Sequence, residues 1–90
     1  MIIVRIPGPL RPYTDNNGEV RVSAVDVASA LDDLRLRHQA VASALFAETG
    51  ELRPHVNVYV NRTDIRDLAG SRTPLQDGDV VSIVPSIAGG

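Results

Sequence analysis

The sequence contains no cysteine and no lysine. Without a thiol it cannot build a disulfide framework, a thiolate zinc site or a cysteine nucleophile, so any sulfur chemistry must use sulfur brought from elsewhere. Without lysine it offers no side-chain amine on which a second copy could be conjugated. The nine basic residues are all arginine, as GC-rich codon usage would produce. Aromatic residues are scarce: Tyr13, Phe46 and Tyr59. A nucleic-acid-binding surface needs a basic stripe, usually with stacking aromatics. Here the arginines are spread along a chain of net charge −2, so no nucleic-acid partner is expected. The longest apolar runs are a few residues, too short to span a membrane. The start, Met1-Ile2-Ile3-Val4-Arg5, lacks the basic and apolar regions of a signal peptide, and a cytoplasmic location is expected.

What is present suits one domain: 90 residues, 43% of them apolar, with room for a single core. Residues 1–7 alternate, with Ile2, Val4 and Ile6 on one side and Ile3 and Arg5 on the other, which predicts a half-buried strand. Gly8, Pro9 and Pro12 break it, and Leu10-Arg11-Pro12-Tyr13-Thr14 reads as an irregular connection. Asn16-Asn17-Gly18 is a turn signal before a second strand over 19–24, with Val20 and Val22 as its apolar face. These strands should form an antiparallel hairpin with a long loop. The period then changes. Asp26 can cap a helix over 27–37, in which Val27, Ala30, Leu31 and Leu34 share one face while Asp32, Asp33, Arg35 and Arg37 face water. A shorter helix is predicted over 41–46, ended by Gly50.

Residues 55–61 alternate most cleanly, with Val56, Val58 and Val60 inward and His55, Asn57, Tyr59 and Asn61 outward. A single helical turn is expected near 65–68. Leu75-Gln76-Asp77-Gly78-Asp79 should turn into a last strand over 80–85. This order predicts an α+β fold, a mixed sheet of about four or five strands on one main helix, with the last strand parallel to the first at the sheet centre. Pro85 has no N–H to donate, so pairing should stop there. The expected organisation is a domain over 1–85 and a flexible tail over 86–90, able to reach roughly 17 Å at about 3.3–3.6 Å per residue.

The tail ends in Ile87-Ala88-Gly89-Gly90. From the dipeptide alone, Gly89-Gly90 fits two readings: frayed terminal slack, or backbone thin enough to enter a narrow channel and present an open carbonyl. Several stretches favour the second. Val56-Asn57-Val58-Tyr59-Val60-Asn61, then Leu75-Gln76-Asp77-Gly78-Asp79, then Val81-Ser82-Ile83-Val84-Pro85 followed by the terminal Gly-Gly resemble the ubiquitin-like sulfur carriers of the MoaD/ThiS superfamily. Ile6-Pro7 and Leu10-Arg11-Pro12-Tyr13-Thr14, with the chain length, are similar to its CysO-like branch.

The resemblance implies a β-grasp fold and a carrier, not an enzyme. An E1-like enzyme would use ATP to adenylate the Gly90 carboxylate, and sulfide or a persulfide would displace AMP to leave a thiocarboxylate. Ile87, Ala88 and Gly89 would thread into partner active sites. Tyr59, Asn57, Arg5, Ser82 and Val84, on the outward sheet face, would dock partners; a tyrosine that merely covers part of the sheet is the other reading of Tyr59. The implied partners are the E1-like enzyme, a PLP-dependent cysteine synthase and a zinc-dependent peptidase that releases the product. The alternatives are the small subunit of molybdopterin synthase, which would pair with that enzyme's large subunit, and a ubiquitin-like protein modifier. The chain itself is expected to bind no cofactor.

Other residues invite readings they do not support. His38 follows a helix and His55 begins a strand, a poor start for a shared metal site. Asp77 and Asp79 around Gly78 fall short of a calcium loop and suit a tight turn. Asn61-Arg62-Thr63 matches a glycosylation sequon that has no meaning in a cytoplasmic protein.

Overall fold

The computed structural model describes residues 1–85; the expectations for Ser86–Gly90, including Ile87, Ala88, Gly89 and Gly90, lie outside the described residues. Five strands form one mixed sheet: β1 (Ile2–Arg5), β2 (Glu19–Val22), β3 (Val56–Val60), β4 (Thr63–Asp64) and β5 (Val80–Pro85), in the order β2-β1-β5-β3-β4. Strands β1 and β2 are antiparallel, and β5 lies at the centre beside β1 and parallel to it, as the order of elements predicts; β5 is also antiparallel to β3.

The helix α1 (Val27–Arg37) covers the inner face of this sheet. Its start is a reciprocal cap: the Asp26 carboxylate accepts from the Ser29 amide at 2.8 Å, and the Ser29 hydroxyl accepts from the Asp26 amide at 3.2 Å. Two otherwise unpaired donors of the first turn are thereby satisfied. Val27, Ala30, Leu31 and Leu34 point into the sheet, where Ile2, Val4, Val22, Val58, Val81 and Ile83 lie almost free of solvent. Packing of these small aliphatic side chains is the main source of stability.

Several expectations change in detail. The connection after β1 is not irregular: Gly8–Thr14 is a 3-10 helix. Proline's fixed φ suits such turns, and Thr14 closes this one from a fully buried position, its hydroxyl 3.2 Å from the Arg11 carbonyl and 3.0 Å from that of Asn17. The left-handed residues of the following turn are Asp15 and Asn16, at φ 54° and 64°, one step before the predicted Asn16-Asn17-Gly18. Asp and Asn bear that conformation at lower cost than most residues.

Strand β2 stops at Val22, not Ala24, because the Ser23 amide turns away from the sheet and donates to the Asp33 carboxylate of α1 at 2.9 Å. The shorter helix divides into a 3-10 turn, Gln39–Val41, and α2 (Ala42–Leu45). Phe46 leaves α2 in extended conformation and bridges to Leu52, so Gly50 turns the chain between them and does not end the helix. Finally, β3 spans Val56–Val60, not 55–61: Asn61 adopts φ 56° and reverses the chain into β4, a strand too short for the periodicity to reveal.

Candidate functional site

The two features of interest are the outward face of the sheet and the end of β5. Alternation along β1, β5 and β3 puts Arg5, Ser82 and Tyr59 on the side away from α1. Register then aligns them: Arg5 is opposite Ser82, and Ser82 opposite Tyr59. Glu19 of β2 stands opposite Arg5, and Asp64 of β4 opposite Tyr59. One row thus crosses all five strands. Val84 and Asn57 are paired in the next row on the same side. All five sequence-predicted surface residues therefore share one face, with Val84 43% exposed and Tyr59 partly covered.

At the β4 edge the polar groups are mutually held. The Arg66 guanidinium donates to both Asp64 carboxylate oxygens, to Oδ2 at 2.8 Å, and to Asn57 Oδ1 at 2.9 Å. The hydrogen bonds from the Arg66 side chain, then that from its backbone amide, hold the Asp64 carboxyl below its usual range. The same contact pushes the guanidinium up. Both groups keep their charge, and Asn57 is oriented by its arginine neighbour.

At the other side the face is hollowed. The registered pairing of β1 with β5 ends at Arg5 and Ser82, whereas β3 follows β5 to Pro85. Where β1 and β5 part, a hollow of about 420 Å³ opens, lined by Arg5, Arg11, Glu19 and Ser82 among others. The Arg11 guanidinium reaches it by bonding the Ile6 carbonyl at 3.2 Å and lying over Gly18, where a Cβ would come within 3.2 Å of it. A second hollow of about 240 Å³ lies on the far side of Arg5 and Ser82, lined also by Asn61, Arg62 and Val80.

Arg11, Glu19, Arg62, Asp64 and Arg66 escaped the sequence reading of this face. Glu19 was accessible to it, because alternation with Val20 and Val22 sends it outward. The arginines leave no such trace, since they reach the face from loops and turns.

Pairing on the β3 side ends with Val56 opposite Pro85, the last described residue, at the end of the central strand and the edge of this face. The Asp77-Gly78 segment forms a tight turn, with the Asp79 amide donating to the Gln76 carbonyl at 3.0 Å and Gly78 at φ 91°. His38 closes α1 and His55 precedes β3. Among the described residues no three His, Asp or Glu side chains gather as a metal site would require, and no helix is long and apolar enough to cross a membrane. The arrangement offers a contact surface and a strand end.

Comparison with known proteins bears on what such a surface serves. The chain matches the ThiS family over residues 4–90. It is 35% identical over 91 residues to the sulfur carrier protein CysO of Mycobacterium tuberculosis, covering 99% of this chain and 98% of that one. With small archaeal modifier protein 3 of Haloferax volcanii it shares 42% identity over 64 residues, 71% of this chain and 68% of that one. A chain in the crystal structure of the Amycolatopsis orientalis BexX/CysO complex superposes with a TM-score of 0.90 at 34% identity, over 100% of both.

Proposed function

The chain belongs to the ThiS family and has the ubiquitin-like β-grasp fold, and we propose that it carries sulfur as a thiocarboxylate on Gly90. The chemistry requires activation, because a carboxylate is resonance-stabilised and a poor electrophile. An E1-like enzyme joins the Gly90 carboxylate to the AMP portion of ATP and releases pyrophosphate. Sulfide then attacks the acyl carbon and AMP departs, leaving the thiocarboxylate; where a persulfide attacks, the product is an acyl disulfide, and a second thiol of the donor protein reduces it to the thiocarboxylate, forming a disulfide. The carrier is a cosubstrate: it supplies the acyl end and the surface by which enzymes recognise it. Gly89 and Gly90 matter for different reasons, since a Cβ on the first narrows its passage and one on the second crowds the reacting carbonyl.

The observation that carries this reading is the likeness to CysO over nearly the full length of both chains. The position of β5 supports it physically. A central strand held on both sides is a rigid base from which to present a tail. The acceptor we propose is an activated serine derivative on a PLP-dependent cysteine synthase, with a zinc-dependent peptidase releasing cysteine. Docking is assigned to Tyr59, Asn57, Arg5, Ser82 and Val84, and threading to Ile87, Ala88 and Gly89.

The test is the intact mass of the chain after incubation with an E1-like enzyme, ATP and sulfide. One oxygen exchanged for one sulfur, removed by the synthase with formation of the cysteine adduct, is expected. Absence of any adenylate or thiocarboxylate with a cognate activating enzyme would sink the carrier reading. Recovery of the carrier only with a molybdopterin synthase large subunit would redirect the pathway. The likeness to a small archaeal modifier favours a second reading, conjugation to lysines of other proteins, which stable isopeptide adducts recovered from cells would establish.

A further inference from the structure

The nine arginines are spread evenly in sequence and unevenly in space. Arg5 and Arg21 project outward from β1 and β2, Arg66 lies over Asn57 and Asp64, and Arg11 and Arg62 line the two hollows beside Arg5. Against these five stand three carboxylates, Glu19, Asp64 and Asp67, the last close enough to Arg66 to act on its charge, so the face carries +2 within a chain of net −2. Asp64 is already bound by Arg66. Among the described residues, Arg5, Arg11, Arg21 and Arg62 have no carboxylate oxygen within 4.0 Å. On α1, by contrast, Asp32 is bonded by Arg35 and Asp33 by Arg37, although Arg53 and Arg72, away from the outward face, also have no carboxylate within 4.0 Å among the described residues.

We propose that the outward sheet face docks a partner protein that presents clustered carboxylates, with Arg5 between the two hollows as the central contact and Arg11 and Arg62 on either side. Arginine suits this task, because its planar fork binds a carboxylate through two parallel hydrogen bonds. Interspersed Ile3, Val80, Val84 and Tyr59 give the face the mixed apolar and charged character of a protein interface. A nucleic acid would meet too few cations and a repelling remainder. Opposite charge raises the encounter rate and rejects basic surfaces, with a dependence on salt. This rests on the carrier reading only in taking the activating enzyme as the natural partner.

Two measurements on the full chain test it. In the first, amide shifts are followed as a peptide with a run of glutamates is titrated in. Shifts should concentrate at Arg5, Ser82, Tyr59 and Arg62, and vanish in Arg5→Glu/Arg62→Glu, a variant whose melting curve confirms folding. Arg72→Glu, which alters charge elsewhere, should leave them intact. Shifts that spread equally over α1, or tighter binding of a single-stranded oligonucleotide, overturn the proposal.

In the second, the carrier concentration that half-saturates the activating enzyme should rise about tenfold in the double variant at low salt. A double variant indistinguishable from the native chain overturns this proposal and leaves the carrier reading standing. A native chain that is never adenylated defeats the carrier reading, while the peptide titration still decides the surface.

Discussion

On β3, Val56, Val58 and Val60 face α1 with little or no exposure, while Asn57 and Tyr59 between them face outward among Arg66, Asp64 and Ser82. The same contrast runs across the whole sheet. Its inner side is aliphatic and closed by one helix; its outer side mixes arginine, carboxylate, tyrosine and valine, and among the described residues no helix packs over it. The inner residues stabilise by leaving water, a non-directional effect that tolerates no charge. The outer residues contribute little to stability and present chemistry at fixed spacing, the strands acting as a ruler. Fold and recognition are thus written on alternate residues of the same segments, and substitutions should separate them.

The largest separation should come from adjacent positions on β3. Val58→Asp buries an unpaired charge and should cost at least about 3–5 kcal/mol, against a total stability of about 5–15 kcal/mol for a domain. Asn57→Asp, one residue away, should stay within about 0.5 kcal/mol, because an oxygen still accepts from Arg66. Chemical denaturation of both variants measures the difference; equal losses would mean that the two faces are not energetically distinct.

A milder version lies on α1. Leu34 is wholly buried and Leu36 is 76% exposed. Leu34→Ala should cost about 2–5 kcal/mol through lost burial and a residual cavity. Leu36→Ala should change stability by less than about 0.5 kcal/mol. A large cost at Leu36 would reveal a contact of that side chain absent from the fold described.

The smallest effect concerns pH. Backbone hydrogen bonding from Ser29 holds the Asp26 carboxyl below the ordinary 3.8, and that from Ser23 does the same for Asp33. Both carboxyls take up protons more readily in the unfolded chain. Their stabilising contribution is therefore complete above that value and is lost as the pH falls below it and through the lower folded value. The melting temperature should decline in acid, and less steeply in Asp26→Asn, which keeps an oxygen for the Ser29 amide without titrating. An unchanged acid slope would remove Asp26 from the account.

Much of this was legible in the sequence because the interactions responsible are local or periodic. The cap at Asp26, the helix it begins, the inward valines of β3 and the outward set of Arg5, Asn57, Tyr59, Ser82 and Val84 all follow from spacing. The misreadings have tertiary causes. β2 ends two residues early because Asp33, on the next element, takes the Ser23 amide. The Gly8–Thr14 turn forms where two prolines suggested only a break, and it is closed by a threonine whose burial no pattern announces. β4 has two residues, fewer than any periodicity needs.

By itself the sequence determined which residues face inward and that the last strand suits the sheet centre, and the lack of cysteine removed every thiol on which sulfur could be carried. Periodicity and composition suffice for these, since each depends on a residue and its near neighbours. Tertiary structure alone decided that Arg11, Arg62 and Arg66 join Arg5 on one face and turn a weakly acidic chain into one with a cationic side. Charge is a property of residues, but an electrostatic surface depends on distance in space. Strand order and loop return set those distances.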